Sequence, residues 1–234
     1  VGGRVVMGVL YNSRIVTDGL VSCVDAGDKM SYPGAGTTWT DLSKNRSNGT
    51  LVNGPTFNSS NGGSIVFDGS NDYANLGTAS SLFPGPSITA SLFCWVKYIS
   101  GNVIPIGGQY TIGQRLYIGV YEGVWDVGFG SYAWNANYSG TRVTATTNWT
   151  LISLIITAGS AVLYVNGQET ITKTTDTSVS LGGPFSIGAF FYNEVLNGGY
   201  TYPCNIASTQ VYNRALSAEE IRQNYNATKG RFGL

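Results

Sequence analysis

The sequence has no histidine and few charged residues, and both shortages exclude classes of function. Charged residues make up 11% of the 234 residues, against roughly 25% in an average soluble protein. Without histidine, neither a Ser-His-Asp triad nor a Cys-His pair can form, and the commonest transition-metal ligand is missing. The formal net charge is zero and no run of lysine or arginine occurs, so the chain lacks the phosphate contacts on which nucleic-acid affinity depends. We therefore expect no nucleic-acid partner.

Cysteine is scarce too. Cys23, Cys94 and Cys204 lie far apart in the sequence, and their odd number argues against a complete disulfide framework. We expect all three thiols to be reduced and buried as small apolar side chains.

Long apolar runs are also missing. No stretch approaches the roughly 20 apolar residues of a membrane helix, so the sequence predicts no membrane partner. The short apolar stretch 1–11 is not followed by the small-residue cleavage site of a secretion signal. We interpret residues 1–17 as an N-terminal arm or first strand, with the remnant of such a signal as the alternative. Residues 18–234 are predicted to form a single domain.

The acidic residues do not form a catalytic pattern. A glycoside hydrolase needs two carboxylates at a matched separation, and no Glu-x-Asp-x-Glu alternation that would gather carboxylates on one strand face occurs in the sequence. Glu122 and Asp126 come closest, but their spacing across Gly123 is typical of a turn. No phosphate-binding glycine loop followed by lysine occurs either. We expect no enzymatic activity.

Alternation of apolar and polar residues dominates what is present. Short alternating runs separated by Gly, Asn, Ser and Pro are typical of an antiparallel sandwich or barrel. The predicted fold class is all-β, an antiparallel β-sandwich with one short C-terminal helix. Strands are predicted at residues 20–25, 64–68, 88–97, 115–121, 149–157, 161–165, 185–187 and 206–212. Residues 91–97 are apolar at successive positions, which predicts a central strand covered on both faces.

Turn residues divide these strands. A loop at residues 158–160 and the pair Asn166-Gly167 predict a meander of three strands. Residues 45–63 contain several Asn-Gly pairs, which predict mostly turn with one short strand at residues 50–52. Near the end of the sequence, Ser217 and Glu220 have the spacing of a capping box. The helix that follows is predicted to turn Ile221 and Tyr225 toward the sandwich.

Asp68 and Asp72 are candidate metal ligands. Hard oxygen ligands at alternate positions can bind Ca²⁺, the cofactor we consider for this chain. The segment departs from an EF-hand loop, because Tyr73 stands where glycine is needed and Ala79 where a bidentate glutamate is needed. We therefore interpret the segment as an Asx-rich turn between two strands, with a calcium site as the alternative, and expect no other cofactor.

Aromatic residues concentrate between residues 110 and 138, interleaved with Gly and Asn. Exposed rings stack on the apolar face of sugars, while amides bind hydroxyl groups. Candidate carbohydrate-binding residues are Trp125, Trp134, Asn135 and Tyr138. The alternative assigns these rings to the core and to subunit contacts, because strand alternation turns about half of them inward.

Several segments together resemble the laminin-G-like or concanavalin-A-like jelly-roll domain. They are residues 19–27, 38–43, 48–51, 64–73, 149–168 and 205–221. The resemblance extends from about Asp18 to the end of the sequence and implies a jelly-roll sandwich. Because this fold is widely reused, the resemblance implies architecture more firmly than activity.

Three further stretches, residues 14–20, 31–34 and 229–234, are similar to structural proteins of tailed phages, notably marine cyanophages. This resemblance implies a virion structural protein, either a capsid decoration or a head or tail fibre component. It implies assembly in the host cytoplasm, a place on the virion surface, contacts with capsid or tail proteins, and a homo-oligomer. The alternative is a carbohydrate-binding adhesin that attaches to a host-surface glycan.

The N-terminal arm is the predicted contact segment for such partners. Val5, Val6, Val9 and Leu10 are its apolar residues of interest, because an isolated strand gains hydrogen bonds by pairing with a neighbour's sheet edge.

Overall fold

The computed structural model describes residues 14–84, 88–109, 114–131, 138–174, 183–192, 195–196 and 203–234. Its strands are β1 (Leu20–Asp25), β2 (Thr38–Trp39), β3 (Gly49–Val52), β4 (Thr56–Asn58), β5 (Ser64–Phe67), β6 (Tyr73–Thr78), β7 (Ala90–Tyr98), β8 (Ile106–Gln109), β9 (Gln114–Tyr121), β10 (Val124–Ser131), β11 (Tyr138–Gly140), β12 (Thr150–Thr157), β13 (Ser160–Val165), β14 (Gln168–Thr174), β15 (Pro184–Ile187), β16 (Phe191–Tyr192), β17 (Val195–Leu196) and β18 (Cys204–Tyr212). Its α-helices are α1 (Ala79–Leu82) and α2 (Ala218–Thr228), and 3-10 helices span Ser60–Gly62 and Lys229–Phe232.

Within the described residues, the strands form two stacked antiparallel sheets. The larger sheet has the order β11-β14-β13-β12-β7-β18-β5-β4, with β1 also paired to β18. The smaller sheet has the order β10-β9-β8-β15-β6-β3-β2, and β16 pairs with β17. The prediction of an all-β antiparallel sandwich with one short C-terminal helix is confirmed.

Strand β18 has two partners on one edge, and this arrangement positions the site described below. Its first part pairs with β5 and its second part with β1. The change of partner coincides with a bulge between Ile206 and Ser208, where the Ala207 carbonyl accepts a hydrogen bond from the Ala26 amide. Bulges redirect a strand and the side chains beside it.

The eight strands predicted from alternation are all present, with ends that differ by at most two residues. Asn166 and Gly167 both have positive φ and join β13 to β14, as expected for their hairpin. Strand β4 lies inside the stretch predicted to be mostly turn, because pairing with β5 stabilises a segment of weak strand propensity. Strand β10 was also missed, since its glycines disfavour a strand when considered alone.

Strand β7 is central and covered on both faces, as predicted. Leu92 and Cys94 point into the main core between the sheets, whereas Phe93 and Trp95 point to the outer face. The three cysteines are free and buried, as expected. Burial raises the pKa of the Cys23 and Cys204 thiols to about 12.

Helix α2 covers the outer face of the larger sheet. Its capping box is confirmed, since the Ser217 hydroxyl accepts from the Glu220 amide and the Glu220 carboxylate accepts from the Ser217 amide. Ile221 is buried against the sheet, and the Tyr225 ring stacks 6.1 Å from that of Trp95. None of the described helices is long and apolar enough to span a membrane.

Candidate functional site

A cavity of about 370 Å³ lies between the outer face of the larger sheet and the end of α2. We call it the helix-end cleft. Its lining combines aromatic rings with hydroxyl, amide and charged side chains. The lining residues are Asp25, Trp95, Ser208, Asn226, Ala227, Thr228, Gly230, Arg231 and Phe232.

Strand register builds the floor of the cleft. Ser208 of β18 is paired with Trp95 of β7 on one side and with Asp25 of β1 on the other. Directly paired residues of neighbouring strands project from the same face. Three strands therefore align an indole ring, a hydroxyl and a carboxylate in one row.

The last turn of α2 and the following 3-10 helix form the opposite wall. The Trp95 indole N–H donates to the Thr228 hydroxyl at 2.7 Å, which fixes the ring under the helix. The Phe232 ring lies 4.2 Å from Trp95 and 4.8 Å from Trp149 between centroids. The Phe232 and Trp149 side chains are half-buried, so this aromatic group reaches the surface.

Arg231 connects the wall to the floor. Its Nη1 lies 2.6 Å from Asp25 Oδ1, its Nε donates to the Asn61 carbonyl at 2.6 Å, and its Nη2 donates to the Gly63 carbonyl. The Arg231 and Asp25 side chains are 20% and 31% exposed, so the pair is only partly screened by water. Gly63 has a positive φ, and a Cβ there would lie 2.5 Å from the Ala26 carbonyl oxygen, so this approach requires glycine.

A second cavity of about 390 Å³ adjoins the cleft. It shares Asp25 and Arg231 with the helix-end cleft, and Asp28 and Lys29 add one charge of each sign. Gly27 and Gly62 supply backbone without side chains. We call this second space the charged cavity.

The carboxylates of these cavities act as hydrogen-bond acceptors. Asp25 Oδ1 accepts from the Gly27 amide at 2.7 Å as well as from Arg231, and Asp28 accepts from the Met30 amide at 2.8 Å. The general acid of a glycosidase instead needs apolar surroundings that keep its proton at neutral pH. Asp25 contacts a guanidinium and Asp28 is exposed, so this arrangement is suited to binding a polar ligand.

The structure corrects one predicted sugar-binding residue. Trp125 is 1% exposed and packs in the main core, with its ring edge-on to Tyr98 at 6.4 Å. Its prediction as a ring stacking on sugar was wrong, because the pairing of Trp125 with Val120 turns the side chain inward. Trp134, Asn135 and the side chain of Tyr138 lie outside the described residues.

Asp68 and Asp72 lie in the connection between β5 and β6. The Asp68 carboxylate accepts from the Ser70 amide at 2.7 Å, and Asp72 accepts from the Asp68 amide at 3.2 Å. These bonds are typical of an Asx-rich turn. Burial raises the pKa of the Asp72 carboxyl. The described residues contain no cluster of three or more His, Cys, Asp or Glu side chains that could hold a metal, and the calcium site stays a prediction.

The predicted partner-contact residues Val5, Val6, Val9 and Leu10 lie outside the described residues. The cleft itself was missed by sequence reasoning. Its ion pair joins Asp25 to Arg231, which lie far apart in the sequence. No local sequence pattern predicts such a contact. One sequence signal nearby was the phage-like stretch 229–234, which contains Arg231 and Phe232.

Comparison with known protein families identifies the fold. The model of the concanavalin A-like lectin/glucanases superfamily that matches is Laminin_G_3, over residues 68–222, more than half of the chain. The chain belongs to this superfamily. Its sandwich is thus a lectin-like fold, as the sequence resemblance implied. Among curated protein sequences, no significant match to the chain is found.

Solved structures share this fold at low sequence identity. The binding domain of Paraclostridial Mosquitocidal Protein 1 superposes with a TM-score of 0.64 at 15% identity, covering 90% of this chain and 52% of that chain. The binding domain of Botulinum Neurotoxin DC in complex with SialylT gives 0.64 at 11% identity, with coverages of 91% and 52%. A Trypanosoma rangeli sialidase complex gives 0.68 at 18% identity, with coverages of 93% and 34%. The chain therefore spans about half or less of each protein, and these similarities concern the fold alone.

Proposed function

We propose that this chain is a non-catalytic carbohydrate-binding domain and that the helix-end cleft is its sugar site. The observation that carries the proposal is the lining of the cleft. The half-buried Phe232 ring, which packs on the buried Trp95, offers an apolar wall. Asp25, Asn226 and Arg231 offer acceptors and donors beside it. A pyranose has the matching chemistry, with an apolar C–H face and hydroxyl groups at its edge.

The fold supports this proposal. Lectin-like sandwiches occur in the toxin binding domains that superpose on this chain, and one of them is in complex with SialylT. A sialidase that superposes is an enzyme, but the chain spans about a third of it. Among the residues that line the cleft, Asp25 is the one carboxylate, whereas a glycoside hydrolase uses a pair.

A glycan array of neutral and sialylated glycans, probed with and without calcium, tests the proposal. We expect selective retention of a glycan group, and about tenfold weaker binding after Phe232→Leu or Asn226→Ala. The matched control is Asn148→Ala, an exposed asparagine outside the cleft. Unchanged unfolding midpoints establish that the variants fold. Absence of binding to every glycan contradicts the proposal, and so does equal binding by the cleft variants and the control.

We further propose that the domain acts on the surface of a phage virion as a decoration or fibre component. The three phage-like stretches all lie outside the residues matched by the superfamily model, and two of them contact Asp25 at the edge of the cleft. Arg14 accepts from Gln223 of α2, Ser31 accepts from the Asp25 amide, and Arg231 binds Asp25. Two of the stretches that resemble phage proteins therefore lie beside the cleft.

Particle incorporation tests the virion proposal. Deletion of residues 1–10 removes the predicted contact residues of the arm, and we expect lower occupancy of the labelled protein on assembled particles. If the deletion variant reaches the same occupancy as the full chain, residues 1–10 do not make the contact. If the labelled full chain is absent from particles, the virion proposal is contradicted.

A further inference from the structure

We infer that the helix-end cleft and the charged cavity are two subsites for one oligosaccharide, which crosses the Asp25–Arg231 pair with at least one sugar unit on each side. This inference rests on the proposed carbohydrate-binding function. It goes further by naming the length of the ligand and the residues that recognise each part of it.

The first argument is continuity. Both cavities are bounded by Asp25 and Arg231, and their volumes are about 370 and 390 Å³. Each volume falls within the range of small-molecule sites. One ligand can therefore contact both cavities at the Asp25–Arg231 pair.

The second argument is that the shared pair still has hydrogen-bonding capacity. In the described part of the chain, the hydrogen bonds accepted by Asp25 use Oδ1, so Oδ2 is available to a ligand hydroxyl. Arg231 uses one N–H on each of its three nitrogens toward protein acceptors. A guanidinium has five N–H groups, so two remain. An acceptor and two donors at the junction match the hydroxyls that flank a glycosidic bond.

The third argument is the difference between the two linings. The helix-end cleft presents the half-buried Phe232 ring, which suits the apolar face of a sugar. The charged cavity is lined by charged side chains and glycine backbone, which suit a unit bound through its hydroxyl or charged substituents. The two subsites therefore bind units in different ways, and the oligosaccharide has a fixed direction in the site.

Glycine keeps the second subsite open. A Cβ at Gly27 would lie 2.6 Å from Arg231 Nη2 and 2.7 Å from the Gly62 carbonyl oxygen. Either Arg231 or the loop would have to move. The absence of a side chain at Gly27 thus preserves both the ion pair and the space beside it.

A chain-length series tests the inference by calorimetry. The probes are glucose, galactose, mannose and N-acetylglucosamine, each with its disaccharide and trisaccharide. For the sugar that binds, we expect the disaccharide to bind at least about tenfold tighter than the monosaccharide. Lys29→Ala should remove most of this gain and leave the monosaccharide affinity unchanged, whereas Phe232→Leu should weaken both ligands. Lys44→Ala is the control, since Lys44 is an exposed lysine outside both cavities.

The outcomes separate this inference from the proposed function. Equal affinity for monosaccharide and disaccharide overturns the two-subsite inference and leaves the carbohydrate-binding function intact. A Lys29→Ala effect of the same size on both ligands overturns it as well. Failure of every sugar in the series and on the array to bind overturns the carbohydrate-binding function and the inference with it.

Discussion

The inner face of the larger sheet packs on the smaller sheet through apolar side chains. Its outer face combines a smaller apolar cluster under α2 with directed hydrogen bonds to α2 and to residues 14–16. Leu92 and Leu154 are fully buried on the inner side. On the outer side, the Ser91 hydroxyl donates to the Arg214 carbonyl and accepts from the Leu216 amide. Apolar burial is non-directional and tolerates small shifts, but hydrogen bonds require one geometry.

We call α2 and residues 14–16, on the outer face of the larger sheet, the outer layer. A three-way hydrogen-bonded contact holds this layer in place. Asn224 is 1% exposed and accepts from the Val16 amide at 2.8 Å, while its own amide donates to the Tyr212 hydroxyl at 3.0 Å. Tyr212 in turn donates to the Val16 carbonyl at 2.9 Å. The helix, the sheet and the N-terminal segment therefore share one polar cluster. The difference between the two faces indicates that the core supplies stability and the outer layer supplies the geometry of the cleft.

The largest expected loss of stability comes from a cavity in the inner core, between the two sheets. Phe185 is fully buried and packs edge-on against Phe83 at 5.8 Å. Phe185→Ala should lower the free energy of unfolding by about 3–5 kcal/mol, because the ring leaves a cavity that the sandwich cannot refill. Chemical denaturation measures this loss. Ile99→Ala is the control, since Ile99 is 44% exposed, and its effect should stay within about 0.5 kcal/mol.

A polar deletion in the outer layer should have a smaller and more local effect. Asn224→Ala leaves the Val16 amide without its acceptor and should lower the free energy of unfolding by about 1–3 kcal/mol. Amide hydrogen exchange should show lost protection at Val16 and retained protection in β7 and β12. Asn226→Ala, an exposed change on the same helix, should preserve protection at Val16. Equal loss of protection in the sheet and at Val16 would contradict the separation of the two layers.

The smallest expected effect is a pH dependence of the stability of α2, caused by the Glu220 carboxyl. The Arg214 guanidinium and then the Ser217 amide lower the pKa of Glu220 from 4.5 to about 2. A carboxyl with a lower pKa in the folded chain stabilises it above the unfolded pKa, and this contribution disappears as the pH falls through the folded value. We expect amide protection in α2 to decrease as the pH falls from 4.5 to about 2.

Charge removal isolates that contribution. Glu220→Gln should lower the stability of α2 at neutral pH by less than about 1 kcal/mol, because the side chain is close to solvent. It should also flatten the dependence of α2 protection on pH in the acidic range. Glu122→Gln is the control, since Glu122 is an exposed acidic residue between β9 and β10, outside α2. If Glu220→Gln retains the full dependence of α2 protection on pH, another titratable group causes that dependence.

Local patterns predicted most of the secondary structure. The hairpin at Asn166-Gly167 and the capping box at Ser217 depend only on the conformations of neighbouring residues. Both could therefore be predicted from the sequence. Strand β10 was missed because it depends on pairing with β9. The turn between β9 and β10 has positive φ at both Glu122 and Gly123, which agrees with the turn predicted from the spacing of Glu122 and Asp126.

The candidate site could be predicted far less well. The aromatic residues were correctly identified as a group that includes core rings, but the choice of Trp125 as an exposed ring was wrong. Trp95 was predicted to lie in a covered strand, and its role in the cleft depends on Phe232, which lies far away in the sequence. Asp25 and Arg231 were not selected at all, because neither has a local pattern that distinguishes it from other charged residues.

The sequence by itself determined the eight strands predicted from alternation and the hairpin at Asn166-Gly167. It also determined where α2 begins and that the three cysteines are buried. These features depend on period-two alternation and on the conformations of adjacent residues, both of which are local. Only the tertiary structure decided that Trp125 points inward and that Asp25 meets Arg231. Alternation predicts which residues share a face of a strand. The stacking of the sheets and the docking of α2 determine which face is covered and which distant side chains come into contact.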